Sequence, residues 1–176
     1  AKDIILPPNM QQGSLKDMEG KVDACLTDRI SSDLNIPLVL LERSSVEKVE
    51  LDNENYFDVS VTLKTSGTTG APTHIKKRIS HLEAEVFKLD DKWRLTGQNI
   101  IMTSTVSHFH IYGLLYQVIW PLMSGLSVYC NRIDYPEQLS ELSGGKNFNL
   151  ISSPAFLKRW QKELSHYKAP KELKLI

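Results

Sequence analysis

The 176-residue sequence is poor in cysteine: it has only Cys25 and Cys130, far apart along the chain. Two distant cysteines do not make a disulfide framework and favour a reducing compartment, so we expect a cytoplasmic protein. Long apolar runs are also missing. The run from residue 36 to 41 is far shorter than the roughly 20 residues that cross a bilayer, so we expect no membrane span.

An excess of charge of either sign is absent as well. Lys plus Arg and Asp plus Glu number 21 each. Nucleic acids and anionic membranes select basic surfaces, so this balance gives no reason to expect either as a partner. The hydrophobic fraction of 41% is that of an ordinary globular protein with a core.

Strand and helix patterns alternate along most of the sequence. Strands are predicted at 22–26, 37–41, 59–63, 99–103, 126–130 and 148–151, and helices at 14–19, 80–96, 113–123, 135–142 and 154–166. This order predicts an α/β fold of three layers, with a largely parallel sheet flanked by helices.

Two of these helices carry local start signals. Ser80 and Glu83 form a capping-box pattern before the apolar stripe Leu82, Val86, Leu89 and Trp93, and Gly97 is the predicted stop. In the 154–166 helix, Ser153 precedes Pro154, which suits the first helical position.

The two ends suggest a piece of a longer protein. Ala1 is not a methionine, and residues 173–176 look like a strand that has just begun. We therefore expect residues 1–176 to form one partial domain. Apolar surface exposed by such a cut predicts self-association.

A loop rich in threonine and glycine at residues 64–73 follows the predicted strand 59–63. Its glycines permit unusual backbone angles, and its amide and hydroxyl donors can hold phosphate oxygens. Gly70 is followed by Ala71 and Pro72, so this is not a Walker loop. A plain flexible turn is the alternative interpretation.

Residues 65–72, Thr-Ser-Gly-Thr-Thr-Gly-Ala-Pro, resemble the T-S-G-T-T-G-x-P-K-G signature of the adenylate-forming superfamily, which includes acyl-CoA synthetases and adenylation domains. Further stretches are similar to family segments in the same order. They are 107–114 (P-x-F-H-x-Y-G-L), 120–125 (P-L-x-x-G), 151–157 (V-x-x-P-T-x-L) and 173–176, the strand before G-G-A-P-L. The chain therefore looks like an internal piece of the family's large N-terminal domain.

The resemblance implies that the loop holds the β- and γ-phosphates of ATP. The implied residues are Thr65, Ser66, Gly67, Thr68, Thr69 and Gly70. Thr73 stands where the family usually has lysine. Lys77, between Lys76 and Arg78, is a candidate substitute, and the alternative is that these residues coat the exposed face of a strand.

His110 matches the histidine of the F-H-x-Y-G segment. The resemblance places it, with Phe109 and Gly113, at the pocket for the acyl substrate and the adenylate. The alternatives are structural: His110 is a buried histidine bonded to backbone, Phe109 and Tyr112 are core residues, and Gly113 allows close helix packing. No third ligand accompanies His108 and His110 at a regular spacing, so we expect no metal site.

The implied reaction needs ATP and Mg²⁺, activates a carboxylic acid as its adenylate, and passes the acyl group to a thiol of CoA or of a carrier protein. The Y-G-x-T-E segment, the ribose aspartate and the mobile lysine domain of the family are not in this sequence, and neither are the Mg²⁺ ligands. We expect the parent protein to be the ligase and this chain alone to be inactive. A truncated, non-catalytic relative that binds a ligand or partner is the second hypothesis, and an unrelated α/β domain with a fortuitous loop is the third.

Overall fold

The computed structural model describes residues 3–6, 15–27, 34–40, 59–65, 73–142, 147–163 and 173–175. The chain divides into two compact units, residues 1–76 and 77–176. Each unit is described by itself, and the expectation of one partial domain stays a prediction.

The first unit is built on two small sheets. Its strands are β1 (Asp3–Leu6), β2 (Cys25–Thr27), β3 (Leu38–Leu40), β4 (Ser60–Thr65) and β5 (Thr73–Arg78), the last of which continues into the second unit. One sheet has the order β1-β4-β5 and the other pairs β2 with β3. The β1–β4 and β2–β3 pairs are both parallel.

The alternating sequence of β4 explains its place in the middle of a sheet. Val61 and Leu63 are buried, while Thr62 between them is half-buried. Successive side chains of a strand point to opposite faces, so one face of β4 is the core face. The predicted strand is confirmed, and it runs two residues past its predicted end at Leu63.

The second unit contains helices around a four-stranded sheet. Its elements are α1 (Ile79–Trp93), β6 (Ile100–Ser104), α2 (Ile111–Gly113), π1 (Leu114–Ile119), α3 (Trp120–Ser124), β7 (Ser127–Val128), α4 (Glu137–Leu142), β8 (Asn147–Ile151), α5 (Pro154–Glu163) and β9 (Leu173–Leu175). The strand order is β7-β6-β8-β9, and all three pairings are parallel. The predicted α/β fold with a largely parallel sheet is confirmed.

Both faces of the inner strand β8 are buried. Phe148 and Leu150 pack on one face with Ile133, Leu139 of α4 and Trp160 of α5. Asn149 and Ile151 alternate with them and are buried as well. The π1 segment packs against the neighbouring strand β6. Strands covered on both faces are typical of parallel sheets between helices.

The two ends of helix α1 differ from the predicted ends. It begins at Ile79 with Arg78 as N-cap, and no side chain caps it, so the capping box around Ser80 is wrong. The chain arrives extended from β5, which fixes the entry angle without a capping hydroxyl. The helix ends at Trp93, and its C-cap is Arg94, which has a left-handed φ of 51° and stands three residues before Gly97. Of the predicted stripe, Leu82 and Val86 are buried, but Trp93 is 40% exposed.

The predicted buried helix at 113–123 is a composite of α2, π1 and α3. Trp120 donates its backbone N–H to the carbonyl of Leu115, a π-type bond. Pro121 has no N–H for the carbonyl four residues earlier and crowds it, which favours the wider turn before it. Gly125 ends the segment with φ 63°.

Other boundaries shift by a few residues. The strand predicted at 126–130 is paired only at Ser127–Val128, and the helix predicted at 135–142 begins at Glu137. Helix α5 begins at Pro154 as predicted, and the Oγ of Ser153 accepts the N–H of Phe156 at 3.2 Å. Ser14, the predicted cap of the first helix, lies outside the described residues.

Candidate functional site

The carboxyl ends of β6 and β8 lie side by side, because Ser104 is paired with Ile151. Beyond them, Thr105 N donates to the carbonyl of Ile151 at 3.0 Å. Its Oγ1 lies 2.9 Å from the Oγ of Ser152. Ligands of open parallel sheets gather at this edge. Buried hydroxyls therefore connect the chain just before the segment 107–114 with the segment 151–157.

The loop from β6 to α2 is held by its own serines. Ser104 Oγ accepts the N–H of Val106 at 2.9 Å, and Ser107 Oγ accepts that of Phe109 at 3.3 Å. The carbonyl of Ser107 accepts the N–H of His110 at 3.1 Å. These bonds fix the backbone that carries His108, Phe109 and His110.

Gly113 allows the helix to approach this loop. A Cβ added at Gly113 would lie 2.1 Å from the carbonyl oxygen of Ser107 and 2.6 Å from its carbonyl carbon. Side chains larger than hydrogen are excluded there. The close packing that the sequence predicted for Gly113 is therefore against a loop backbone, and this contact positions the start of α2.

The histidines of the loop are at the surface. His110 is exposed, so the alternative of a buried histidine is wrong. His108 stacks on Phe109 with ring centroids 4.2 Å apart, and Phe109 is half-buried. Burial of part of the His108 imidazole lowers its pKa below the usual value, because desolvation disfavours the charged ring.

An aromatic row runs along one side of the composite helix. Tyr112 and Tyr116 have centroids 4.5 Å apart, and Tyr116 meets Trp120 edge-on at 5.7 Å. Trp120 is fully buried, whereas Tyr112 is 36% exposed beside the loop. The expectation that Tyr112 is a core residue is therefore wrong. The row connects the surface at the loop with the interior.

The pKa of Tyr112 in this row is raised, whereas the pKa of Asp90, which contacts Trp120, is lowered. Burial raises the pKa of Tyr112, with repulsion from Tyr116 adding to it. Burial raises the pKa of Asp90 too, but hydrogen bonds from Thr96 and Trp120 outweigh it and leave that pKa below its usual value. Trp120 Nε1 donates to Asp90 Oδ1 at 3.4 Å, so the inner end of the row is anchored.

The phosphate-loop residues are only partly described. Thr65 is the last residue of β4, and β5 resumes at Thr73 in the same sheet. The predicted donors Ser66, Gly67, Thr68, Thr69 and Gly70 lie outside the described residues. Their proposed role stays a prediction.

The basic residues after the loop lie on β5. Lys77 Nζ is 3.5 Å from Glu85 Oε1, and Lys76 Nζ is 2.7 Å from Asp3 Oδ2. All four side chains are more than a third exposed, so these ion pairs are weak and leave both ammonium groups accessible. Lys77 remains a candidate phosphate ligand.

Sequence reasoning missed several residues at this edge of the sheet. The spacing of Tyr112, Tyr116 and Trp120 by four residues could have indicated the row. Nothing local links Trp120 to Asp90 or Thr105 to Ser152. Within the described ranges, no group of three His, Cys, Asp or Glu side chains could hold a metal ion. No helix in the same ranges is long and apolar enough to cross a membrane.

The sequence matches no family model. It also matches no curated protein. Solved structures do match its fold. A malonyl-CoA ligase, in a ternary product complex with methylmalonyl-CoA and AMP, aligns with a TM-score of 0.66 at 20% identity. That alignment covers 93% of this chain and 42% of the ligase.

The O-succinylbenzoate coenzyme A synthetase of Bacillus subtilis, in complex with ATP and magnesium ion, also aligns with a TM-score of 0.66. The identity is 14%, over 98% of this chain and 38% of that one. Its complex with AMP gives 15% identity and a TM-score of 0.66, over 92% and 36%. The chain thus spans about two fifths of the length of these enzymes, and its fold resembles that part of them.

Proposed function

We propose that this chain is part of an ATP-dependent ligase that converts a carboxylic acid to its acyl-adenylate and transfers the acyl group to a thiol. The observation that carries the proposal is the fold likeness to two CoA ligases over nearly the whole chain. The Thr-Ser-Gly-Thr-Thr-Gly sequence, which begins at the last residue of β4, supports it independently, because a sequence motif and a fold likeness come from different kinds of comparison.

The loop at residues 65–70 would bind the β- and γ-phosphates of ATP. Backbone amides and hydroxyls in such a loop stabilise the negative charge that develops on pyrophosphate as it leaves. The proposed nucleotide is ATP with Mg²⁺. The B. subtilis synthetase is itself recorded with both. Carboxylates for the ion would come from outside the described part of this chain.

The acid would lie beside His110, Phe109 and Gly113. The exposed imidazole of His110 can donate a hydrogen bond to a carboxylate or adenylate oxygen. The exposed end of the aromatic row at Tyr112 offers an apolar wall for the acyl part. The acceptor is a thiol of CoA or of a carrier-protein phosphopantetheine arm.

This chain alone is proposed to be inactive. It lacks the Y-G-x-T-E segment and the lysine domain that complete the reaction in the family it resembles. Nucleotidyl transfer depends on metal and positive charge around the phosphates, so the isolated chain should bind without turning over.

Acid-dependent exchange of labelled pyrophosphate into ATP, measured on the product of the native gene with a panel of carboxylic acids, tests the proposal. We expect exchange with at least one acid, and a loss of roughly 100-fold when Thr68 and Thr69 are both changed to Val. Thr62→Val, in β4 ahead of the loop, is the matched control and should retain exchange. No exchange with any acid would refute the ligase and favour a non-catalytic binding relative.

A further inference from the structure

A polar cleft of about 480 Å³ opens at the carboxyl edge of β6 and β7. It lies between the loop after β6, the π1 segment, the chain after β7 and the start of α4. The lining residues used below are Ser107, Gln117, Arg132, Asp134 and Gln138. None of them belongs to the loop at 65–70 or to the acyl-pocket residues predicted from the sequence.

The walls of the cleft are fixed to one another by backbone bonds. Tyr129 N donates to the carbonyl of Met102 at 2.9 Å, and Ile133 N donates to that of Ser104 at 2.8 Å. The chain after β7 therefore continues alongside β6 and its loop. Fixed walls preorganise a site, because no ordering is needed when a ligand enters.

Gln117 is the most informative residue of the lining. It lies on π1 and is only 5% exposed, yet its side-chain amide has no hydrogen-bond partner among the residues that the structure describes. Because Gln117 lines the cleft, its amide is open to a group that enters there. Its N–H groups are therefore available to an acceptor oxygen.

Arg132 brings positive charge to the same cleft. Its Nε and Nη2 both donate to one oxygen of Asp134, at 2.8 and 2.7 Å. The other guanidinium N–H groups have no partner in the described ranges. The two side chains are 55% and 46% exposed, so solvent screens their attraction and an incoming anion can compete for Arg132.

Two further side chains of the lining, Gln138 and Ser107, can donate hydrogen bonds. Gln138 Oε1 already accepts the N–H groups of Asp134 and Tyr135, at 2.8 and 2.9 Å, which leaves its amide nitrogen to donate. Ser107 Oγ accepts from Phe109 and retains its own O–H. Together with Arg132 and Gln117, these donors suit a ligand rich in acceptor oxygens.

We propose that this cleft binds an oxyanion, a phosphate or carboxylate group, through the guanidinium of Arg132 and the amide of Gln117. Charge-assisted hydrogen bonds from the planar guanidinium match the geometry of both groups. The Gln138 amide and Ser107 hydroxyl complete the donors. The proposal does not depend on the ligase function, because it rests on the cleft alone.

Titration of the whole 176-residue chain with inorganic phosphate and, separately, with acetate tests it. Side-chain amide and Arg Nε resonances are followed by NMR at constant ionic strength. We expect saturable shifts of the Gln117 amide and Arg132 Nε–H with a Kd on the order of 1–10 mM for at least one anion. The anion that binds more tightly identifies the source as phosphate or carboxylate.

Two variants that each remove one positive charge distinguish a specific anion site from general electrostatic attraction. Arg132→Gln should weaken binding by roughly tenfold, and the chain should still fold because the Arg132 side chain is exposed. Lys88→Gln removes an exposed charge on α1, away from the cleft, and should change the Kd by less than about twofold. Equal weakening by both variants, or no shift at Gln117 with either anion, would overturn the proposal.

Discussion

Changing Gly113 to Ala tests whether the loop that carries His110 is held by a close backbone contact. Gly113 has φ −65° and ψ −39°, ordinary helical angles. In open space the variant would therefore stabilise the chain by about 1 kcal/mol, because alanine is the better helix former. The added Cβ, however, would lie 2.1 Å from the Ser107 carbonyl oxygen.

Relief of that clash requires a backbone shift of more than about 1 Å, because ordinary contacts begin near 3.5 Å. The obstructing atoms are backbone, so no side-chain rotation removes them, and the His110 N–H is bonded to the same carbonyl. Overpacking costs about 1–3 kcal/mol. Taking the upper value and subtracting the helix gain leaves a net loss of about 2 kcal/mol, or about 4–8 °C in Tm.

Urea unfolding measures the loss, and the backbone amide shift of His110 reports the loop. Gly125→Ala is the control, because Gly125 has φ 63° and no atom within 4 Å of an added Cβ. It should cost about 1 kcal/mol through its left-handed backbone and leave the His110 amide unmoved. A Gly113→Ala chain as stable as the wild type, with an unshifted His110 amide, would refute the reasoning.

Three further predictions concern buried and titrating groups. Asn149 is 1% exposed, and its Oδ1 has no hydrogen-bond partner among the described residues. Asn149→Leu should therefore raise the free energy of unfolding, measured by urea titration, by about 1–2 kcal/mol. A loss of stability would contradict this prediction. Burial lowers the pKa of His108 on folding, so the unfolded chain binds more protons and the free energy of unfolding falls as pH drops through about 6.5. His108→Gln should flatten that part of the profile of stability against pH. An unchanged slope would exclude His108 as its source. The pKa of Asp90 is lowered by bonds from Thr96 and Trp120 that outweigh burial, so its stabilisation is present above the usual carboxyl pKa and is lost as pH falls through the folded value. Asp90→Asn should remove that loss from acid unfolding curves, while Asp91→Asn, its exposed neighbour, should not.

The elements that the sequence predicted well have strong local causes. The β-branched alternation around Val61 places β4, and the Ser153–Pro154 pair starts α5 at the predicted residue. Alternation of strands and helices gave the parallel α/β class, because parallel neighbours require crossover connections. The ordered family-like motifs agree with the fold likeness to the CoA ligases.

Element ends and burial depended on neighbours that the local sequence does not specify. Helix α1 begins at Ile79 because β5 ends at Arg78, although the capping-box pattern predicted a start at Ser80. Tyr112 is exposed and Trp120 fully buried although both are aromatic residues of one helical segment, since only the packing of that segment decides which end is covered.

The amino-acid sequence by itself determined the periodic elements and the fold class, because these depend on backbone preferences and side-chain types over a few neighbouring residues. The phosphate-binding chemistry of the loop at 65–70 stays a prediction. Only the tertiary structure decided that Gly113 must admit the Ser107 carbonyl, that Asp90 anchors Trp120, and that Gln117 and Arg132 line the same cleft. Those relations join residues of different helices and loops. They depend on how these elements pack, which no local pattern encodes.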